Sequence, residues 1–410
     1  MQRWVWTAGV AAFAAAAMVS IVAQPPDAFV ESRDHPAISY THGPTDTAID
    51  HLNQRLADGS TTLAPTASTG RLKAVLDALD IPVESQVAVF SKTSFEADRI
   101  SPSNPRTIYF NDTTAIGWVR GSSLIEAAAE DPRQGVILYS LDESPSAGPK
   151  PGFVRDDDDC LICHLTWDTM GVPGFQVFST YPRVDESQYA NGSISDHRLP
   201  FGMRWGGWYL TGTPPARGHL GNVVGRRRLG EMATLDAAID TKGLLSPYSD
   251  VVALMVLEHQ SRAVNLMTRL GWEARVANDG DTPKVRAAAA DLADYLLFVD
   301  EATFIRPARG SSGFAALFSA GGPRDSKGRS LRQLDLDHRL LKYPCSYMIY
   351  APAFDALPDH ARDLVYQRLW AILSGADHEK KYAALSATDR RAVVEILRDT
   401  KPNLPSYFRS

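Results

Sequence analysis

The sequence predicts an α+β protein, with a strand-and-loop-rich N-terminal half and a helical C-terminal half. Three observations predict it. Short β-branched and aromatic runs, divided by turn residues, dominate residues 85–215. After about residue 235 apolar residues recur at the three- and four-residue spacings of helices. Strands come first and helices later, which is the order of an α+β chain and not of a small all-α fold.

The elements follow in chain order. Arg3 precedes an apolar run, "WVWTAGVAAFAAAAMVSIVA" (4–23), which "QPPD" breaks. One basic residue, an Ala-rich stretch and the small Ala23 make an export signal. The run is also long enough to cross a bilayer, since about 20 apolar residues suffice. Ile21 spoils the A-x-A pattern, so residues 1–23 are a signal peptide or a retained N-terminal membrane anchor. Both place the body of the protein outside the cytoplasm, in the periplasm or at its membrane face. Residues 24–69 are an extended segment rich in Pro, Thr, Asp and Gly, with one helix at "DTAIDHLNQRLAD" (46–58). Residues 70–235 form a β-rich region. It opens on the amphipathic helix "GRLKAVLDALD" (70–80), with Leu72, Val75, Leu76 and Leu79 on one face. Strands are expected at "SQVAVFS" (85–91), "RTIYFND" (106–112), "AIGWVRG" (115–121), "GVILYSLD" (135–142), "GFQVFSTY" (174–181) and "RWGGWYLTG" (204–212). Residues 236–410 are helical and pack on that region. A long helix starts at Ser249 or Asp250 as N-cap and runs through "VVALMVLEHQSRAVNLMTRLGWEARV" (251–276). A second has Pro283 in its first turn, and "LPDHARDLVYQRLWAILSG" and "TDRRAVVEILRDTK" close the chain.

The chain has 410 residues, enough for two or three domains or one large core. A net charge of −6 opposes general nucleic-acid binding, which wants a basic face. With only three cysteines, Cys160, Cys163 and Cys345, a disulfide framework is excluded. Two of them lie in "DDDDCLICH" (156–164). C-x-x-C-H is the attachment signature of a c-type haem. One helical turn presents both sulfurs to the vinyl groups, and the adjacent histidine falls beneath the iron as proximal ligand. Cys160 and Cys163 are then covalent haem residues and His164 binds the iron of a single haem c. Two other readings stay open. Zinc needs a second ligand pair at short spacing, and Cys345 stands alone. A redox disulfide prefers a thioredoxin-like βαβ setting. Asp156 to Asp159 read as a solvated loop, with calcium as the alternative.

The strings "FSKTSF", "ISPSNPRTIYFND", "GWVRG", "CLICH", "DHRLPF", "RWGGWY" and "YPCSYMIYAPAFDALP" resemble a family of exported bacterial proteins with a cytochrome c-type haem site. The resemblance spans residues 35–408. It implies Cys160, Cys163 and His164 as haem residues and carries no particular reaction. The four aspartates depart from the family's shorter acidic pair and leave the ligands untouched.

A c-type site with one axial histidine leaves the sixth iron position to Met, His or nothing, a choice that separates electron transfer from catalysis. Val252, Met255, Val256, His259, Ala263 and Leu266 share a stripe of the long helix, so His259 is the candidate distal ligand. His219, in "RGHLGN", and Met255 are weaker candidates. The alternative for His259 is a core histidine bonded to a carboxylate or carbonyl. "RWGGWY" lines the haem or packs strands; "GRRRLG" (225–230) pairs haem propionates or is solvated; Cys345 is a buried thiol. The functional expectation is an exported monohaem cytochrome that passes electrons to a partner protein. The alternative is a haem enzyme, oxygenase or peroxidase-like, with an open distal site for a small-molecule substrate.

Overall fold

Seven strands make the central sheet: β1 (Val87–Val89), β2 (Arg106–Phe110), β3 (Thr114–Val119), β4 (Leu124–Asp131), β5 (Gly135–Asp142), β6 (Val154–Arg155) and β9 (Trp208–Tyr209). Their order is β6-β5-β4-β3-β2-β1-β9, with every neighbouring pair antiparallel. The structure is a computed structural model and describes residues 32–144, 152–181 and 192–409. The export segment 1–23 lies outside these residues. Among the described residues no helix is long and apolar enough to cross a membrane.

Strand β4, "LIEAAAED", has no strand signal of its own. Alanine and glutamate favour helix and are depleted in strands. Pairing on both edges overrides that preference, with Ala127 opposite Ile116 on β3 and Tyr139 on β5. The alternation then sorts β2–β4 into two faces. Thr107, Tyr109, Ile116, Trp118, Ile125 and Ala127 are buried in the core. On the other face Arg106, Ile108, Ala115, Glu126 and Ala128 are only half-buried. A row of Ala and Gly there, with Gly117 among them, keeps that face low.

The N-terminal segment contributes α1 (Ala48–Ala57), closed by a capping box between Thr47 and Asp50, and α2 (Leu72–Ala78) follows it. The C-terminal half is built on α4 (Val251–Val276), a 26-residue helix. Asp250 caps it as expected, accepting from Val252 and Ala253 N–H at 2.7 and 3.1 Å. Its other oxygen accepts from Ser311 and Ser312 N–H. Helix α4 is buried on nearly every side, between the sheet strands β1 and β5 and the helices α5 (Pro283–Leu296), α6 (Phe314–Ala320), α7 (Pro352–Asp355) and α8 (Asp359–Leu373). A helix surrounded in this way carries apolar residues all round, not a single stripe. Thr282 caps α5 with Pro283 at its first turn, and Ser386 caps α9 (Ala387–Thr400). Leu52, Leu76, Ile125, Leu141, Leu254, Leu369 and Leu397 belong to one hydrophobic core, so strand and helical halves share it.

One buried acid makes this fold pH-sensitive. Both carboxyl oxygens of Glu130, at the end of β4, are buried without a hydrogen-bond partner. Burial, helped by Asp112 and Asp131, lifts its pKa from 4.5 to about 8. The folded state therefore holds this proton more tightly than the unfolded chain. Its stability contribution is complete below the ordinary carboxyl pKa and is lost as pH rises through about 8. Glu130→Gln is expected to match the wild type in urea unfolding at pH 4. At pH 9 it should be more stable by up to about 5 kcal/mol. Equal stability at both pH values would show that the carboxylate ionises freely.

Candidate functional site

The turn that carries the two cysteines is set by the aspartates before it. Asp156 accepts from Cys160 N–H at 3.2 Å and from Asp158 N–H at 3.1 Å, which closes the loop into the short helix α3 (Leu161–His164). Asp157 accepts from Arg155 at 2.5 Å, and Arg33 donates to the Asp157 carbonyl at 3.0 Å. The acidic run is therefore partly structural, where a solvated loop was expected; only Asp158 and Asp159 are exposed. Cys160 is half-buried, Cys163 is exposed, and neither is in a disulfide. Burial and Asp156 push the Cys160 thiol up to about 12. Reactive thiolates have the opposite shift.

His164 is fixed through its backbone and its ring at once. Its carbonyl accepts from Gly174 N–H at 2.9 Å, and its Nδ1 lies 2.8 Å from the Gly174 carbonyl. A carbonyl only accepts, so Nδ1 carries the proton and Nε2 keeps its lone pair. Burial holds the ring below its ordinary pKa and therefore neutral. Gly174 is held in turn by α4: Asn265 accepts from Phe175 N–H at 3.0 Å and donates to the Phe175 carbonyl at 2.8 Å. A Cβ on Gly174 would meet the Asn265 amide oxygen at 2.4 Å, so only glycine fits there. This is the outer-shell arrangement that orients a ligating imidazole.

Cys160, Cys163 and His164 line a cavity of about 450 Å³, within the usual range for cofactor sites, roughly 300–1,000 Å³. Its other walls are the low face of the sheet (Arg106, Ile108, Ala115, Gly117, Glu126, Ala128), the strand β7 (Phe178–Thr180) with Phe175 and Val177 before it, Trp208, and Leu257 and Ser261 of α4. Three polar atoms of these wall residues are buried without hydrogen-bond partners: Arg106 Nε, Glu126 Oε2 and Ser261 Oγ. The residues fit a haem: two thiols on one turn, an oriented imidazole with Nε2 open, and a largely apolar slot beside them. Among the described residues no group of three or more His, Cys, Asp or Glu could hold a metal ion, so Cys160 and Cys163 meet no further zinc ligands.

Helix α4 does wall this cavity, but through another face than the stripe suggested. His259 is two residues from both Leu257 and Ser261, about 200° around the helix at 3.6 residues per turn. It is fully buried, and both ring nitrogens are in use. Nδ1 lies 2.8 Å from His197 Nδ1, and Nε2 lies 2.7 Å from Ser346 Oγ. The ring is stacked against Tyr295 and Phe298, and burial pushes its pKa down to about 3. The arrangement is that of a core histidine. The expected distal ligand and the haem motif are not brought together. His219 packs edge-on against Trp205, Met255 is core, and neither lines the cavity. In "RWGGWY" only Trp208 faces the cavity, its indole N–H tied to the Phe178 carbonyl at 2.8 Å. Arg226, Arg227 and Arg228 sit on an exposed hairpin, β10 (Val223–Val224) and β11 (Arg227–Arg228), away from the cavity. Cys345 is buried and unpaired. The Arg106–Glu126 pair was not legible in the sequence, because its strand β4 was not. No protein family, characterised protein or solved structure matches this chain.

Proposed function

We propose that this chain is an exported monohaem c-type cytochrome. Haem c is bound through Cys160 and Cys163, with His164 on its iron. It serves electron transfer in the periplasm, in soluble form or anchored at the membrane face by residues 1–23. The observation that carries the reading is the His164 imidazole: Nδ1–H is spent on the Gly174 carbonyl, so Nε2 keeps its lone pair, and the residue lines the cavity. The bound haem would supply a one-electron iron couple. The chain contributes the rest. Asp156 holds the attachment turn, Asn265 and Gly174 orient the proximal imidazole, and Phe175, Val177, Ile108 and Leu257 exclude water from the slot.

One observation favours a second reading, a haem enzyme with an open distal side. Apart from His164, no histidine or methionine lines the cavity among the described residues. Segments 145–151 and 182–191, outside those residues, contain neither type. The common carrier pairings, His/His and His/Met, thus have no donor in the cavity walls among the described residues.

The test of the shared core is direct. Protein exported with a working haem-maturation system is denatured and extracted with acidified organic solvent. The polypeptide is expected to keep the haem, with its mass raised by one haem. Complete extraction of the pigment, or a chain that never acquires any, refutes the reading and returns the two thiols to redox chemistry.

A further inference from the structure

The sheet wall of the cavity holds an ion pair that the fold alone does not require. Arg106 on β2 reaches across β3 to Glu126 on β4, Nη2 to Oε2 at 2.6 Å. The two are not directly opposite: Arg106 is registered with Val119, and Glu126 with Gly117. The guanidinium lies flat over Gly117, where a Cβ would meet Nη2 at 2.2 Å and Cζ at 2.7 Å. The absence of a side chain at 117 is thus what lets the arginine lie on the cavity floor. Around the pair the floor is Ile108, Ala115 and Ala128. A partly buried pair on an apolar wall is often no more stable than apolar residues of the same volume. This one also leaves groups unused: the 2.6 Å contact is an ion pair without hydrogen-bond alignment, so Glu126 Oε2 is buried with no donor and Arg106 Nε with no acceptor. A second unused donor, the buried Ser261 hydroxyl, belongs to a residue of α4 that lines the same cavity. Two unmet donors from two different elements cost stability unless something in the cavity accepts from them.

Arg106 and Glu126 line the same cavity as Cys160 and His164, so the pair belongs to that slot and not to a remote part of the sheet. Glu126 is already the partner that holds the guanidinium in place. The remaining N–H of a held guanidinium suits a small anion.

We propose that Arg106, positioned by Glu126 and Gly117 and assisted by the Ser261 hydroxyl, is the donor site for a small anionic ligand taken up by the haem iron in this cavity. The proposal rests on the haem reading. It assigns the ligand-binding role to the sheet wall, not to the helix that carries His164.

The experiment uses the mature haem-loaded protein and fluoride as probe, with affinity read from the ferric optical spectrum. Covalent haem content is measured on each sample. Arg106→Gln is expected to weaken fluoride binding about 10- to 100-fold, the worth of one charged hydrogen bond, at unchanged haem content. Gly117→Ala, which crowds the guanidinium off the floor, should weaken it in the same direction, and Arg106→Lys should recover part of the loss. Equal fluoride affinity in wild type and Arg106→Gln overturns the proposal. So does a variant that shifts the reduction potential alone, which would make Arg106 a propionate partner. A wild-type ferric protein that is low-spin and refuses fluoride also overturns it. A wild type without covalent haem refutes the underlying reading instead, so the two failures are separable.

Discussion

Replacing Cys160 and Cys163 together with alanine is expected to give a folded protein that carries no covalent haem. The loss is complete because each thioether needs its own sulfur, and no other cysteine lies near: Cys345 is buried in the helical half and does not line the cavity. The fold is expected to survive because neither side chain is core. Cys163 is exposed, Cys160 is half-buried, and the turn around them is closed by Asp156 through a backbone N–H that alanine keeps. The cost to the apoprotein should stay within about 1 kcal/mol, as for surface substitutions away from special features. Haem staining after denaturing electrophoresis and circular dichroism of the same samples measure both parts. Each single variant should retain one thioether, with less haem than wild type. A double variant that stains like wild type would sink the assignment.

His259→Ala is expected to destabilise the protein by about 3 kcal/mol and to leave the spectrum of the bound haem unchanged. The first part follows from what the side chain holds. Removing it opens a cavity between Tyr295 and Phe298 and strips a partner from His197 and from Ser346, all buried. An unsatisfied buried polar group costs roughly 1–3 kcal/mol, and the lost packing adds to it. The second part follows from helix geometry: Leu257 and Ser261 face the haem slot, and His259 does not. Urea unfolding and ferric optical spectra of the haem-loaded variant separate the two. A change from low to high spin on losing His259 would restore it as the sixth ligand and overturn the core assignment. His259 is held neutral by burial, so its two hydrogen bonds should persist from neutral pH down to about its folded pKa of 3.

Both predictions turn on what a one-dimensional pattern carries. The attachment motif is local: thiols and imidazole at i, i+3 and i+4 fix one turn, whatever surrounds it. The cap at Asp250 and the first turn at Pro283 are local too, and they stand where the sequence put them. So do β2, β3 and β5, whose β-branched and aromatic residues signal strand without help from neighbours. The order of strands before helices follows from these.

The rest was decided in three dimensions. "LIEAAAED" carries no strand signal and becomes a central strand, because two neighbours offer it unpaired backbone and its alanines suit a low sheet face. With that strand came Glu126, and with Glu126 the partner of Arg106. The side of α4 that meets the haem slot was not in the sequence either. A helix enclosed on all sides has no single apolar stripe, so periodicity offers several faces and only packing chooses among them. The sequence by itself determined that two thiols and an imidazole, Cys160, Cys163 and His164, share one turn, and the class of fold around it. Tertiary structure alone decided which side chains share the cavity with that motif, because non-local pairing, not residue spacing, brings Arg106, Glu126 and Ser261 to it and turns His259 away.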